Sequence, residues 1–267
     1  MAVNRGSVDP PSFSVMEWKP DQPRNKKPVI LIGKGIVYDT GGISLKPTLH
    51  MLDMKSDMAG GATVAGIMYA MAKLQLPVHL IAMVPATDNR PDGNAYTPGD
   101  VIHMHNDKTV EVINTDAEGR MLLADALSFA TQYEPELVID FATLTGSAAM
   151  TLGTQGIIAM GLADQSIFDR LIKSGENTYE RVVQLPLWEE YNEQIKSHVA
   201  DIKNVGGREA GAIVAGKFLE HFVSYPWVHF DIAPMAYLEK KEAYRLKGGT
   251  GVGVRLMFDF LRQYPFK

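Results

Sequence analysis

The residues with the plainest chemical capacity lie in one run, Asn114-Thr115-Asp116-Ala117-Glu118-Gly119-Arg120. Two carboxylates sit two positions apart, and an arginine follows two later. In an extended segment, side chains at i and i+2 point to the same side, so Asp116 and Glu118 are expected to aim at one point. Gly119 is expected to let the backbone turn tightly there. From Ala117 onward, through Phe129 and Ala130, the chain carries no helix breaker and reads as a helix. Convergent acidic oxygens at a strand-to-helix junction, with a fixed cation beside them, suggest a metal site.

Further charges precede this run. Lys34, Asp39, Lys46, Asp53, Lys55 and Asp57 share a polar segment from Lys34 to Gly61. Six glycines (33, 35, 41, 42, 60 and 61) surround three of these charged residues. Glycine costs backbone entropy, so this density suggests that the backbone approaches something closely. Sites in open α/β folds form at the carboxyl ends of parallel strands, and Lys34 and Asp39 follow an apolar run.

The elements that would position these groups alternate along the chain. Val29 to Gly33 is a short continuous apolar run, the pattern of a buried parallel strand. An edge strand is expected around Phe13 to Trp18, a helix over Ala62 to Leu74, a strand over Val78 to Val84, and a loop over Pro85 to Gly99. Val101 to His105 and Thr109 to Ile113 read as a hairpin. Strands follow at Leu137 to Phe141, Ile157 to Met160 and Val228 to Ile232. Helices are expected at Thr145 to Leu152, Gln165 to Gly175, Leu187 to Ile195, Ala210 to Val223 and Val252 to Tyr264. The fold class expected is α/β, a three-layer sandwich with a mostly parallel, mixed central sheet flanked by helices. One domain over residues 1–267 is the simplest account.

Composition narrows the function classes. A net charge of −5 gives no support to a nucleic-acid binder, which would show a basic stripe. No apolar run approaches the roughly 18 residues that span a bilayer, and Met1 to Pro11 lacks a signal-peptide layout. The sequence contains no cysteine, so a metal must rely on oxygen and nitrogen ligands, and a cytoplasmic location is expected.

Three blocks in order carry a family resemblance: Lys34 to Pro47 (KGIVYDTGGISLKP), Met54 to Met58 (MKSDM) and Asn114 to Arg120 (NTDAEGR). The sequence resembles the leucyl (cytosol) aminopeptidase family of dinuclear metallopeptidases. The likeness runs on through Ala142-Thr143-Leu144-Thr145-Gly146 to Gly248-Gly249-Thr250-Gly251. It implies two divalent ions (Zn²⁺, Mn²⁺ or Mg²⁺), one held by Lys34, Asp39, Asp57 and Glu118. The other would be held by Asp39, by the side chain and carbonyl of Asp116, and by Glu118. Lys34 must then be neutral, through burial and adjacent cations.

The resemblance further implies hydrolysis of the first peptide bond of peptide substrates. Lys46 would polarise the scissile carbonyl, and Arg120 would hold a bicarbonate that shuttles the proton. Asp57 would take the substrate's α-amine, backbone groups of Leu144 and Gly146 would orient the chain, and Met54 and Thr143 would line a pocket for Leu-like side chains. Family members usually carry an additional N-terminal domain, absent from this sequence, and assemble as hexamers, which makes a homo-oligomer an expectation here. Two rival readings are an inactive fragment that keeps the metal site, and a DNA-binding role of the kind some family members have; the charge argues against the second.

Other features suggest chemistry less strongly. His103-Met104-His105 puts two imidazoles on one strand face but suits a hairpin equally well. Gly248 to Gly253 before a helix lacks the pattern of a phosphate loop and reads as a turn or tight packing. Met68, Met71, Met150 and Met160 are expected in the core. Asp140 falls inside a strand, and His229 is expected as a hydrogen-bonded core histidine.

Overall fold

The fold follows from how the apolar strands are shared between two helical layers. A computed structural model describes residues 2–265; Met1, Phe266 and Lys267, the ends of the expected 1–267 domain, lie outside the described residues. Strands β1 (Ser12–Trp18), β2 (Val29–Gly33), β3 (Gly35–Asp39) and β4 (Leu80–Asn89) come first. After them come β5 (Val101–His103), β6 (Thr109–Glu111), β7 (Leu137–Ala142), β8 (Ile157–Gly161), β9 (Val182–Gln184), β10 (Ile202–Lys203) and β11 (Trp227–Asp231). The large sheet runs β1-β4-β2-β7-β11-β8-β9, with β3 also on β4. Pairing is parallel from β4 through β2 and β7 to β11, and antiparallel for β1 on β4 and β8 on β11.

Alternation within a strand divides the core. Val29 and Leu31 face one side and Ile30 and Ile32 the other, all four fully buried. The principal helices are α1 (Thr48–Met51), α2 (Ala59–Lys73), α3 (Glu118–Ala130), α4 (Gly146–Leu152), α5 (Gln165–Thr178), α6 (Gly211–Glu220), α7 (Ala233–Ala236) and α8 (Val254–Leu261). Helices α2, α5 and α8 cover the Leu31 side, and α3 and α6 cover the Ile32 side. This is the expected three-layer α/β sandwich with a mixed, mostly parallel sheet. Burying an aliphatic side chain of this size stabilises by about 1.5–3 kcal/mol, so the two clusters hold the sheet edges where the site needs them.

Several boundaries differ from expectation. The polar segment after Gly33 contains β3, which continues the line of β2 along β4 with only Lys34 between them. Strand β4 runs on to Asn89, through Pro85, where β1 pairs on its other side. Leu187 to Ile195 forms a 3₁₀ turn over Glu189–Ile195 rather than an α-helix. Met150 is 84% exposed, against its expected core position, because α4 is short and turns that face to solvent. Met68, Met71 and Met160 are buried as expected.

The glycine density has a packing reason. A Cβ on Gly60 would lie 2.0 Å from the carbonyl oxygen of Phe141, and one on Gly33 would lie 2.5 Å from that of Gly60. The start of α2 is thus pressed backbone to backbone against β2 and β7, and the object approached is the sheet itself. The Gly248 to Gly253 run is likewise structural: Glu180 accepts from the backbone N–H of Gly253 and of Leu256, so a buried carboxylate already occupies the start of α8.

Candidate metal centre

The carboxyl ends of the parallel strands deliver the charged residues to one place. Lys34 sits in the break after β2, Asp39 ends β3, Asp57 precedes α2 and Glu118 opens α3. All four are 5% exposed or less. Oxygens of Asp39, Asp57 and Glu118 lie within 4.8 Å of one another. Lys34 Nζ stands 2.8 Å from both Asp57 Oδ2 and Glu118 Oε1 and donates to the Thr143 carbonyl at 3.1 Å. Lys46 Nζ bridges Asp39 Oδ2 at 2.8 Å and Asp116 Oδ1 at 2.5 Å. Asp116 is the outermost member, its side chain 32% exposed. Its carboxylate meets Lys46, which links it to Asp39 at the rim of the acidic group.

Gly119 serves a different end from the one expected. It lies inside α3 without a left-handed backbone, and a Cβ there would come within 2.5 Å of Lys34 Cε and 2.6 Å of Lys34 Nζ. The missing side chain makes room for the lysine to cross the helix.

The electrostatics of this cluster are one-sided. By formal charge, four carboxylates face two lysine ammoniums and the Arg120 guanidinium, leaving one negative charge in excess. Burial pushes the Asp57 and Glu118 carboxyls up, against the pull of Lys34. Burial also raises Asp116, opposed by Lys46. For Lys34 itself burial favours the neutral form, but Asp57, Glu118 and Asp39 outweigh it and hold its ammonium above the ordinary lysine range. The neutral Lys34 expected of a metal ligand therefore needs a cation set against those same carboxylates. Glu118 Oε1, Asp57 Oδ2 and Asp116 Oδ1 are buried, and each meets only a lysine ammonium, at 2.5–2.8 Å. Buried carboxylate oxygens held by nothing but a cation, together with the surplus negative charge, fit divalent cations and hard oxygen chemistry.

Around the cluster opens a cavity of about 510 Å³ lined by Lys34, Asp39, Lys46, Asp57, Asp116 and Arg120. Met54, Thr143, Leu144 and Gly146 line it as well. Thr143 Oγ1 donates to Asp57 Oδ1 at 2.8 Å. The Leu144 N–H is taken by Asp231 at 3.2 Å, so of its two backbone groups the carbonyl is the one left for a ligand. Arg120 is buried and donates through Nη1 to the Asn204 carbonyl at 2.7 Å, while its Nε has no partner. Burial pushes its guanidinium down to about 10, countered by Glu118 and Asp231, so it stays charged at neutral pH.

Several contributors carried no signal in residue spacing. Asp231, fully buried, accepts from Leu144 N, Thr145 Oγ1 and Ala233 N and so ties the Thr143 to Gly146 loop to α7. Ala233, Ala236 and Tyr237 complete the apolar wall. Tyr96 donates to the Thr115 carbonyl at 2.8 Å. The lesser candidates stay outside: His105 Nδ1 meets Ser128 Oγ on the surface, and Asp140 binds His229 Nδ1 at 2.6 Å and Trp227 Nε1 at 2.7 Å within the core.

A parallel-centred α/β sheet with an acidic, lysine-bearing cavity at the carboxyl ends of its strands defines the class: an α/β protein built round a candidate cation centre. The chain belongs to the cytosol aminopeptidase family, whose catalytic-domain profile matches residues 1–258. It is 51% identical over 264 residues to the "Probable cytosol aminopeptidase" of Syntrophotalea carbinolica, covering 98% of this chain and 53% of that protein. A crystal structure of cytosol aminopeptidase from Coxiella burnetii superposes with a TM-score of 0.91 at 40% identity, over 98% of this chain and 57% of that one. The bottromycin maturation enzyme BotP in complex with Mn gives 0.93 at 37% identity, over 98% and 58%. The chain spans about half the length of the curated relatives it matches.

Proposed function

We propose that this chain is the catalytic domain of a metal-dependent aminopeptidase that removes N-terminal residues with Leu-like side chains from peptides. The observation that carries the reading is the excess of carboxylates over cations beside the cavity, with three buried oxygens that meet only a lysine ammonium. Lys34, Asp39, Asp57 and Glu118 would hold one divalent ion, and Asp39, Asp116 and Glu118 the other, with Asp39 and Glu118 shared. Mn²⁺, Zn²⁺ and Mg²⁺ all suit this donor set; the Mn complex of the BotP neighbour supports the first. Such ions supply Lewis acidity and a water-derived nucleophile at neutral pH.

The protein's own groups do the positioning. Asp57, steadied by Thr143 Oγ1, takes the peptide's α-amino group, which restricts cleavage to the first residue. Lys46 sets its ammonium against the scissile carbonyl oxygen, where negative charge develops. Arg120 keeps its proton and is no base; its unpartnered Nε would hold a bicarbonate, and that anion would supply proton transfer between water and leaving amine. The peptide backbone runs along Leu144 and Gly146, and its first side chain enters beside Met54 and Thr143, where a thioether adapts to branched apolar groups. A cytosolic location accompanies this reading, after the relatives' name, and a hexameric assembly accompanies it only through the family resemblance.

The test is hydrolysis of leucine p-nitroanilide by the metal-loaded chain. Glu118→Gln should reduce turnover to background with either Mn²⁺ or Zn²⁺; turnover that survives the change refutes the site.

A further inference from the structure

We propose that Asn89 is a positioning residue of this centre: its side-chain amide decides which oxygen of Asp39 and which oxygen of Glu118 is offered to the cations. This inference rests on the metal-centre reading given above. Asn89 closes β4 and is fully buried. Its Nδ2 donates to Asp39 Oδ1 at 2.8 Å and to the Thr115 carbonyl at 3.0 Å, and lies 3.4 Å from Glu118 Oε2. An amide nitrogen carries two hydrogens, so the two short bonds take them and Glu118 Oε2 shares the field at the edge.

The orientation of the amide is forced. All three neighbours of Nδ2 are acceptors, so a flipped amide would set its oxygen against two carboxylates and a carbonyl. The Thr115 carbonyl is in turn fixed by Tyr96. As a result, Asp39 Oδ1 is filled by Asn89 and by the Gly41 N–H at 2.8 Å, while Oδ2 is left facing Lys46. Glu118 Oε2 leans on Asn89, while Oε1 faces Lys34 Nζ at 2.8 Å and no other partner. Each carboxylate therefore keeps one oxygen for the protein and one for a cation. Asn89 Oδ1 is itself buried without a hydrogen bond, which costs stability. A leucine of similar size would avoid that cost but leave buried acceptors on Asp39 and Thr115 without this donor, so the asparagine is kept for the oxygens it faces.

The experiment titrates Mn²⁺ into the metal-free full chain, followed by electron paramagnetic resonance of the free ion, for wild type, Asn89→Leu and Asn89→Ala. Groups that orient metal ligands are worth about 10–100-fold in affinity. The same weakening is expected here in Asn89 variants whose metal-free form still unfolds cooperatively. Mn²⁺ affinity within about threefold of wild type in a folded variant overturns the proposal. Should neither variant fold, the wild-type Asn89 side-chain amide signals decide: they should shift as Zn²⁺ is added, and signals unmoved at saturation overturn it. Glu118→Gln separates the two levels. Full Mn²⁺ binding by that variant refutes the metal centre itself, whereas its loss beside unaffected Asn89 variants refutes only the role of Asn89.

Discussion

Gly119→Ala opposes two effects of known sign. In a helix interior, replacing glycine by alanine stabilises by about 1 kcal/mol, and Gly119 has an ordinary helical backbone that accepts the change. The new methyl, however, would lie 2.5 Å from Lys34 Cε and 2.6 Å from Nζ. The end of a lysine is usually free to swing away, but this one is 3% exposed and pinned between Asp57, Glu118 and the Thr143 carbonyl. Moving it removes a buried ammonium from two carboxylates, and breaking a buried pair costs about 3–5 kcal/mol. The difference is a net loss of about 2–4 kcal/mol. In domains of this size each kcal/mol moves the melting temperature by roughly 2–4 °C, so a fall of about 4–16 °C is expected for the metal-free chain. Differential scanning calorimetry with and without Mn²⁺ measures it, and Mn²⁺ binding should weaken in parallel. An alanine variant that melts higher than wild type and binds Mn²⁺ normally would show that Lys34 is not confined by α3.

Metal removal should leave the chain folded, since neither apolar cluster includes the acidic residues. Restoring Mn²⁺ to about a hundred times its Kd should stabilise by roughly 2.7 kcal/mol, and a melting curve indifferent to metal would contradict this. The buried His229–Asp140 pair predicts a pH effect away from the centre. Burial alone lowers the His229 pKa, but Asp140 prevails and raises it above the ordinary 6.5. Its contribution is then complete below about pH 6.5 and fades as pH climbs through the raised value. The melting-temperature gap between wild type and Asp140→Asn should narrow over that range; a gap constant with pH would mean that the pair carries no titrating charge.

What the sequence made legible depended on pattern. Val29 to Gly33 announced itself because four consecutive aliphatic residues are buried on both faces, and α3 because Glu118 to Ala130 contains no breaker. The ligand candidates stood out because carboxylates, lysine and glycine recur at tight spacing. Strand β3 went unread although Ile36-Val37-Tyr38 has strand character, since glycines and charges on either side mimic a loop. The end of β4 was hidden by Pro85, which is tolerated because backbone donors on either side of it already serve the neighbouring strands. Asn89 and Asp231 left no trace at all. Asn89 is one of a polar run from Thr87 to Arg90 and Asp231 a single acid at a strand end, and the value of each lies in partners brought near from 26 to 87 positions away. Gly119 was noticed for the wrong reason, because the lysine it accommodates is fixed only by the tertiary fold.

The order of strands across the large sheet also divides the labour of the molecule along the chain. The half-sheet β1-β4-β2-β7 is complete by Ala142, and it carries every candidate ion ligand directly or on its adjoining loops. The other half, β11-β8-β9, comes wholly from later residues, and the connection after β11 supplies Ala233, Ala236 and Tyr237 to the cavity wall. The ion ligands, with Met54 and Thr143 of the side-chain pocket, thus precede in the chain the residues that complete the far wall, and the two parts join along the β7–β11 seam. Substitutions downstream of that seam can reshape the far wall while the acidic cluster stays as it is. A nascent chain would likewise assemble its ion ligands well before the far wall of the cavity has been made.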